Sequence, residues 1–125
     1  MNENEIGNKI RGACFSVYNA LGPGLLESAY EKAMVIELTQ MGCAVKTQVP
    51  LNLTYKDQQI DCAYRLDLLA EDKVIVEIKS IDALMPVHHK QLLTYLKLSG
   101  LKLGYIVNFN TTELDKNLLR YVNQL

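Results

Sequence analysis

The spacing of hydrophobic residues predicts two helices at the start of the chain. Over residues 6–21 and again over residues 25–41, apolar side chains recur about every three or four positions. The segment Gly22-Pro23-Gly24 lies between them and favours a tight connection, and Gly42 is the predicted end of the second helix. The predicted inward residues of the second helix are Leu26, Ala29, Ala33 and Ile36, with Val35 and Leu38 beside them.

After residue 42 the pattern changes to the alternation that is typical of strands. Residues 43–55, 59–70 and 74–80 are the first three predicted strands, with turns at residues 56–58 and 71–73. Pro50 lies inside the first strand, which favours an edge position or a bulge. A third helix over residues 88–100 and a fourth strand over residues 102–109 follow. Residues 110–125 fit either a helix or a turn followed by a short strand over residues 118–122.

This order of elements predicts a mixed sheet. Three consecutive strands joined by short turns form an antiparallel meander, and the third helix then crosses over to a fourth strand that packs parallel to a central one. The predicted fold is therefore α/β (α+β), with a four-stranded sheet flanked by helices. At 125 residues the chain is long enough for one hydrophobic core, and residues 1–125 are predicted to form a single domain.

Charged residues interrupt the apolar hairpin over residues 64–80. Strands this rich in valine, isoleucine and leucine are normally buried on both faces. Asp67, Glu77 and Lys79 nevertheless occupy strand positions. Buried charges cost free energy unless they are paired or bind a metal. The hairpin is therefore the strongest functional signal in the sequence.

The register of this hairpin decides whether the charges meet. A two-residue turn would pair Leu69 with Val74 and send Asp67 and Glu77 to opposite faces. A three-residue turn at residues 71–73 would pair Ala70 with Val74 and place Asp67 opposite Glu77, with Cβ atoms about 5 Å apart. We predict the three-residue turn.

Two facing carboxylates suit a hard divalent cation such as Mg²⁺ or Mn²⁺. Lys79 follows Glu77 by two residues and so shares its face, where an ammonium group can place a water or stabilise charge on a phosphate. These are the components needed to hydrolyse a phosphodiester. A salt-bridged cluster of Arg65, Asp67, Glu77 and Lys79 on a solvated face is the structural alternative.

Composition narrows the classes of function. A net charge of -1 does not suit a protein that coats nucleic acid electrostatically, so such contacts must come from a local basic patch or from bound cations. Cys14, Cys43 and Cys62 are widely spaced, which predicts reduced thiols in a cytoplasmic protein rather than a zinc or iron–sulfur site. The polar N-terminus and the lack of an apolar run of about 18 residues argue against a signal peptide and a membrane span.

Three motifs occur in an order that resembles a known family. Residues 24–30 fit the pattern GxxExxY, with Glu27 and Tyr30 at its fixed positions. Asp67 and the later residues 77–79 fit D…ExK, and residues 91–95 fit QxxxY. Together they are similar to the GxxExxY family of the PD-(D/E)XK nuclease superfamily. The resemblance covers nearly the whole chain, although no proline precedes Asp67.

The resemblance implies a restriction-endonuclease-like αβββαβ core with an extra N-terminal helix. It also implies a catalytic set made of Glu27, Asp67, Glu77, Lys79, Gln91, Tyr95 and Tyr30. The implied metal ligands are Asp67, Glu77 and the carbonyl of Ile78, with Glu27 bound directly or through water. Lys79 would orient the attacking water, Gln91 would hold Lys79 or the phosphate with support from Tyr95, and the Tyr30 hydroxyl would hydrogen-bond within the cluster.

Further residues of the third helix are candidates for substrate binding. His88 and His89 lie near its start, where a phosphate is favoured. Lys90 and Lys97 are seven residues apart and suit contacts with a nucleic-acid backbone. The ordinary interpretations are exposed histidines and solvated lysines. Tyr30 and Tyr95 likewise fit boundary packing residues.

The sequence thus favours a metal-dependent nuclease acting on DNA, with RNA as the alternative substrate. A second hypothesis is a catalytically idle protein of the same fold that binds nucleic acid or a protein partner. The third is a structural domain with a surface ion-pair cluster. Because no separate substrate-binding domain is evident, a homodimer or a larger partner is expected to complete the groove.

Overall fold

The computed structural model describes residues 1–61 and 64–125. Its helices are α1 (Glu3–Leu21), α2 (Glu27–Gln40) and α3 (Pro86–Ser99), with a short 3-10 helix at Leu114–Lys116. Its strands are β1 (Val45–Pro50), β2 (Leu53–Tyr55), β3 (Gln58–Ile60), β4 (Arg65–Ala70), β5 (Val74–Lys79), β6 (Leu103–Asn108) and β7 (Leu118–Val122). Within these ranges, no helix combines the length and the apolar character needed to cross a membrane.

The main sheet has five strands in the order β1-β4-β5-β6-β7. β5 and β6 are parallel, and the other neighbouring strands are antiparallel. The elements α2, β1, β4, β5, α3 and β6 form the expected αβββαβ core, with α1 as the extra N-terminal helix, so the predicted fold class is confirmed. The main sheet has five strands rather than the predicted four, because β7 extends it beyond β6. Of the two alternatives for the C-terminal residues, the turn followed by a strand is the one observed.

Two predicted strands are each divided in the structure. The first predicted strand ends at Pro50, which lies in the edge strand β1 as predicted. The chain then continues into a separate hairpin of β2 and β3. Lys56 and Asp57 both have positive φ, the backbone of a tight two-residue hairpin turn. That turn folds β2 onto β3 instead of extending the main sheet. The part of the second predicted strand at Cys62 and Ala63 lies outside the described residues.

The predicted inward stripe of α2 is wrong. The buried residues of this helix are Tyr30, Met34 and Leu38, whereas the Leu26 and Ile36 side chains are 77% and 58% exposed. Leu26 precedes the helix as its N-cap residue. The helix is rotated so that its largest side chains reach the sheet.

The start of α3 also differs from the prediction. The helix begins at Pro86, two residues before the predicted start, because proline has no N–H to lose in the first turn. Gly100, with φ +73, ends α3 as predicted. The two cysteines that the structure describes, Cys14 and Cys43, are buried and free. Cys62 belongs to the part of the chain that is not described.

The core has two layers, one on each face of the sheet. α1 and α2 pack with Leu68, Val76 and Val107 on one face. α3 packs with Ile75 and Ile106 on the other. β5 is therefore covered on both faces, and any charged side chain along it must find its partners within the protein.

Candidate active site

The hairpin of β4 and β5 has the predicted register. Ala70 pairs with Val74 and Leu68 with Val76, so the connection contains three residues. Glu71 and Asp72 in this turn have positive φ. The strand pairing ends at Leu68 and Val76, one position before Asp67 and Glu77.

Side chains replace the regular strand hydrogen bonds at this point. The Asp67 N–H donates to Glu77 Oε2 at 2.9 Å, and the Ile78 N–H donates to Asp67 Oδ2 at 2.8 Å. On the other side of β4, Gln48 is the only β1 position between Val45 and Pro50 without a partner in the register, and it has φ +51. A left-handed conformation is costly for a residue with a side chain and is concentrated at functional sites. The sheet thus opens around Asp67.

Burial makes the two carboxylates difficult to ionise. Glu77 is only 4% exposed. Burial and the neighbouring Asp67 raise the pKa of Glu77 to about 8, although the Asp67 N–H and Lys79 act in the opposite direction. Burial also raises the pKa of Asp67, with further increases from the Glu31 and Glu27 charges. Each carboxylate therefore gains from a nearby positive charge.

The structure contradicts the salt-bridged surface cluster. Among the described residues, the ion pairs within 4.0 Å are Lys46–Asp72 and Lys116–Glu113, both on the surface. Neither Asp67 nor Glu77 takes part in an ion pair, and Glu77 is not solvated. Lys79 is half-buried and close enough to lower the pKa of both carboxyls, but not within ion-pair distance.

Glu27 joins this group through the end of β5. Its Oε2 accepts a hydrogen bond from the Ser80 N–H at 3.2 Å. The Ser80 hydroxyl donates to the Leu25 carbonyl at 2.6 Å, so the loop before α2 is tied to the residue that follows Lys79. These two contacts hold Glu27, the first residue of α2, beside the C-terminal end of β5.

A cleft of about 310 Å³ lies between α2 and the open part of the sheet. It is lined by Glu27, Ser28, Glu31, Gln48, Asp67 and Ile78. Glu31 and Gln48 were not among the predicted site residues. Glu31 follows Glu27 by four positions, and that helical spacing was the available signal. No local pattern singled out Gln48, because its place depends on the pairing of β1 with β4.

The QxxxY helix lies against the same group. Tyr95 is buried at 4% exposure. Burial, together with the Glu77 and Asp67 charges, raises the pKa of Tyr95 to about 12. Its centroid is 5.9 Å from that of Tyr64. Gln91 is half-buried one turn before Tyr95, and its proposed hydrogen bond to Lys79 stays a prediction.

Tyr30 has a different place from the one expected. Its hydroxyl donates to the Gly22 carbonyl at 2.5 Å and accepts from the Leu25 N–H at 3.2 Å, so its hydrogen bonds go to the loop rather than to the carboxylates. The ring is fully buried and stacks on Phe109 with centroids 4.4 Å apart. Tyr30 therefore acts as a packing residue that shapes the loop before Glu27.

The candidate substrate residues of α3 either contact other parts of the protein or are exposed. His88 Nδ1 accepts the Met85 N–H at 2.9 Å and so caps the helix. His89 contacts the Tyr121 hydroxyl of β7. Lys90 and Lys97 are exposed, as both the phosphate-contact prediction and the solvated-lysine alternative require.

Comparison with protein families identifies the fold. A family model described as the PD-(D/E)XK nuclease superfamily matches residues 4–121, which is nearly the whole chain. The chain belongs to the PD-(D/E)XK nuclease superfamily. Members of this superfamily are generally nucleases and typically use divalent metal ions. Comparisons with curated proteins and with solved structures gave no match.

The donor set suits the metal chemistry of the PD-(D/E)XK superfamily. Asp67 and Glu77 offer carboxylate oxygens, and the Ile78 carbonyl follows directly. Within residues 1–61 and 64–125, no three acidic, histidine or cysteine side chains are grouped closely enough to enclose an ion. Mg²⁺ is usually bound by about one or two carboxylates, with water and substrate phosphate as the other ligands. A half-buried Asp67 and a buried Glu77 fit that mode of binding.

Proposed function

We propose that this protein is a divalent-metal-dependent nuclease that hydrolyses phosphodiester bonds of DNA. The observation that carries the proposal is the pair of carboxylates formed by half-buried Asp67 and buried Glu77, near Lys79 and without an ion-pair partner among the described residues. Membership of the PD-(D/E)XK superfamily supports the same class of reaction.

Asp67, Glu77 and the Ile78 carbonyl are the proposed ligands of Mg²⁺ or Mn²⁺, with Glu27 binding directly or through water. When bound, the ion supplies charge stabilisation for the phosphate and lowers the pKa of water. Each carboxylate is also held in place, because it accepts a backbone N–H from the opposite strand. The carboxylate oxygens that would bind the metal are therefore oriented before the substrate binds.

Lys79 is the proposed residue that orients the attacking water and stabilises negative charge on the phosphate. Gln91 and Tyr95 support it from α3. Hydrolysis forms a bond from the water oxygen to phosphorus and breaks one phosphorus–oxygen ester bond, and the departing oxygen takes up a proton. His88, Lys90 and Lys97 remain proposed contacts for the DNA backbone on α3.

Cleavage assays test this function directly. The wild type, Lys79→Ala and the control Lys116→Ala are incubated with single-stranded, duplex and branched DNA and with RNA, in Mg²⁺ or Mn²⁺. We expect cleavage by the wild type and the control, and a loss of about 100-fold or more in Lys79→Ala. Absence of cleavage of every substrate by the wild type would instead favour an idle nuclease fold that binds nucleic acid.

Metal binding is tested separately by thermal unfolding. Mn²⁺ at 100 times its dissociation constant stabilises a folded protein by about 2.7 kcal/mol. We expect Mn²⁺ to raise the melting temperature of the wild type by several degrees and to leave the Asp67→Ala/Glu77→Ala variant unchanged. Equal shifts in both proteins would place the metal elsewhere.

A second copy of the chain is the partner that we propose to complete the DNA-binding groove. A homodimer would place two clefts on one duplex, as closed two-fold symmetry allows. Light scattering that gave 14.1 kDa for the free protein, and a complex with one chain per DNA duplex, would contradict this assembly.

A further inference from the structure

A second cavity continues the carboxylate cleft along α2. This groove has a volume of about 420 Å³ and lies between α2 and the edge strand β1. Its lining residues are Glu31, Lys32, Val35, Ile36, Thr47 and Gln48. Glu31 and Gln48 also line the cleft that contains Asp67, so the two cavities meet at these side chains.

The groove differs from the cleft in its chemistry. Its surface is mostly apolar, with Val35 and Ile36 on the α2 side and Thr47 on the β1 side. Ile36 is 58% exposed although it is a large aliphatic residue. An exposed apolar surface that is rimmed by polar groups marks a binding site more often than an isolated surface residue does.

Polar groups stand where the two cavities join. Gln48 Nε2 donates to Glu31 Oε1 at 3.1 Å, which fixes both side chains at the junction. Lys32 is exposed at the rim and provides positive charge. The groove therefore offers an apolar surface, hydrogen-bonding groups on one side and a cation.

We infer that the groove between α2 and β1 holds one unpaired nucleobase of the substrate, next to the phosphate that lies in the carboxylate cleft. This inference rests on the proposed nuclease function. A base is a flat, largely apolar group with a polar edge, and proteins read such bases by apolar packing and edge hydrogen bonds. Val35 and Ile36 contact the ring, Glu31 and Gln48 face its edge, and Lys32 faces a neighbouring phosphate.

Continuity with the cleft identifies this occupant. A nucleotide whose phosphate lies beside Asp67 must place its base within one sugar length, and the groove begins at the residues that end the cleft. Its volume of about 420 Å³ is within the range of small-ligand sites. The substrate class that follows is DNA with an unpaired nucleotide at the cleavage position.

Binding to a gapped duplex tests the inference without cleavage. One fluorescein-labelled duplex carries a single unpaired nucleotide in the gap, and a second carries an abasic residue there. Affinity is measured by fluorescence anisotropy in Ca²⁺. We expect the wild type to bind the base-bearing duplex about tenfold more tightly than the abasic duplex.

The test variants are Ile36→Glu and Ile36→Lys, which block the apolar surface with opposite charges. Both variants should bind the base-bearing and the abasic duplex with affinities that differ by no more than about twofold. Val122→Glu and Val122→Lys are the matched controls, because Val122 is 47% exposed on β7 at the opposite edge of the sheet. They should keep the wild-type ratio. Circular dichroism verifies that all four variants are folded.

The outcomes separate this inference from the nuclease proposal. A wild-type ratio near one, or an unchanged ratio in both Ile36 variants, overturns the base-binding groove even if DNA is cleaved. A tenfold ratio that only the Ile36 variants lose supports the groove. If the same wild type then cleaves no nucleic acid in Mn²⁺, the nuclease proposal alone is overturned.

Discussion

Replacing Glu77 by glutamine removes a charge from the buried end of β5 and keeps the size of the side chain. The amide oxygen of glutamine can still accept the Asp67 N–H, which donates to Glu77 at 2.9 Å in the wild type. The substitution therefore changes the electrostatics of the site with little change in packing. We predict that Glu77→Gln stabilises the metal-free protein above neutral pH.

The magnitude follows from the two states of Glu77. In the unfolded chain it ionises near its ordinary pKa of 4.5, whereas burial and Asp67 raise the folded-state pKa to about 8. Protonated Glu77 therefore contributes its full stabilisation below the unfolded-state pKa, and this contribution is lost as pH rises through the folded-state pKa. Between these two pKa values, each rise of one pH unit lowers the free energy of unfolding by about 1.4 kcal/mol. A rise from pH 5 to pH 7 therefore lowers it by on the order of 3 kcal/mol.

Urea denaturation in EDTA at pH 5, 6, 7 and 8 measures this effect. The free energies of unfolding of the wild type and Glu77→Gln should be similar at pH 5 and diverge by on the order of 3 kcal/mol toward pH 8. Saturating Mn²⁺ should reverse the order, because it stabilises the ionised pair of the wild type. The control Glu113→Gln changes an exposed glutamate and should differ from the wild type by less than about 0.5 kcal/mol. Parallel pH profiles for the wild type and Glu77→Gln would refute the reasoning.

Two further substitutions test packing around the site. Tyr30→Phe removes the two loop hydrogen bonds but keeps the stack on Phe109, and should cost about 1–3 kcal/mol in urea denaturation. Its cleavage rate should stay within a few-fold of wild type, and a loss as large as that of Lys79→Ala would show a catalytic role instead. Gly104→Ala places a Cβ 2.9 Å from Leu92 Cδ1 and should cost about 1–3 kcal/mol by overpacking β6 against α3. Adding Leu92→Ala should recover part of that loss in a double-mutant cycle, whereas strictly additive losses would contradict the contact.

Features that depend on local spacing were predicted correctly. The apolar period placed α1, α2 and α3 close to their observed bounds, and alternation placed β5 and β6. The three-residue turn of the hairpin set its register, with Ala70 paired to Val74, and Asp67 and Glu77 follow the last paired residues. Each of these properties is decided by residues within about one or two turns of one another.

The rotation of α2 shows why other features were not predictable. Tyr30 faces the core, where it stacks on Phe109, the residue that follows β6. Neither the local apolar pattern nor the GxxExxY motif contains that contact. The same reason applies to β7, whose pairing with β6 decides that the C-terminal residues form a strand.

The sequence by itself determined which chemical groups the site contains and which strands carry them. The tertiary structure decided how those groups are solvated and which neighbours they meet. Glu77 has its raised pKa because α3 and the sheet bury it, and Gln48 and Glu31 reach the site because β1 pairs with β4 beside α2. Burial and long-range packing are properties of the whole fold, and no local pattern records them.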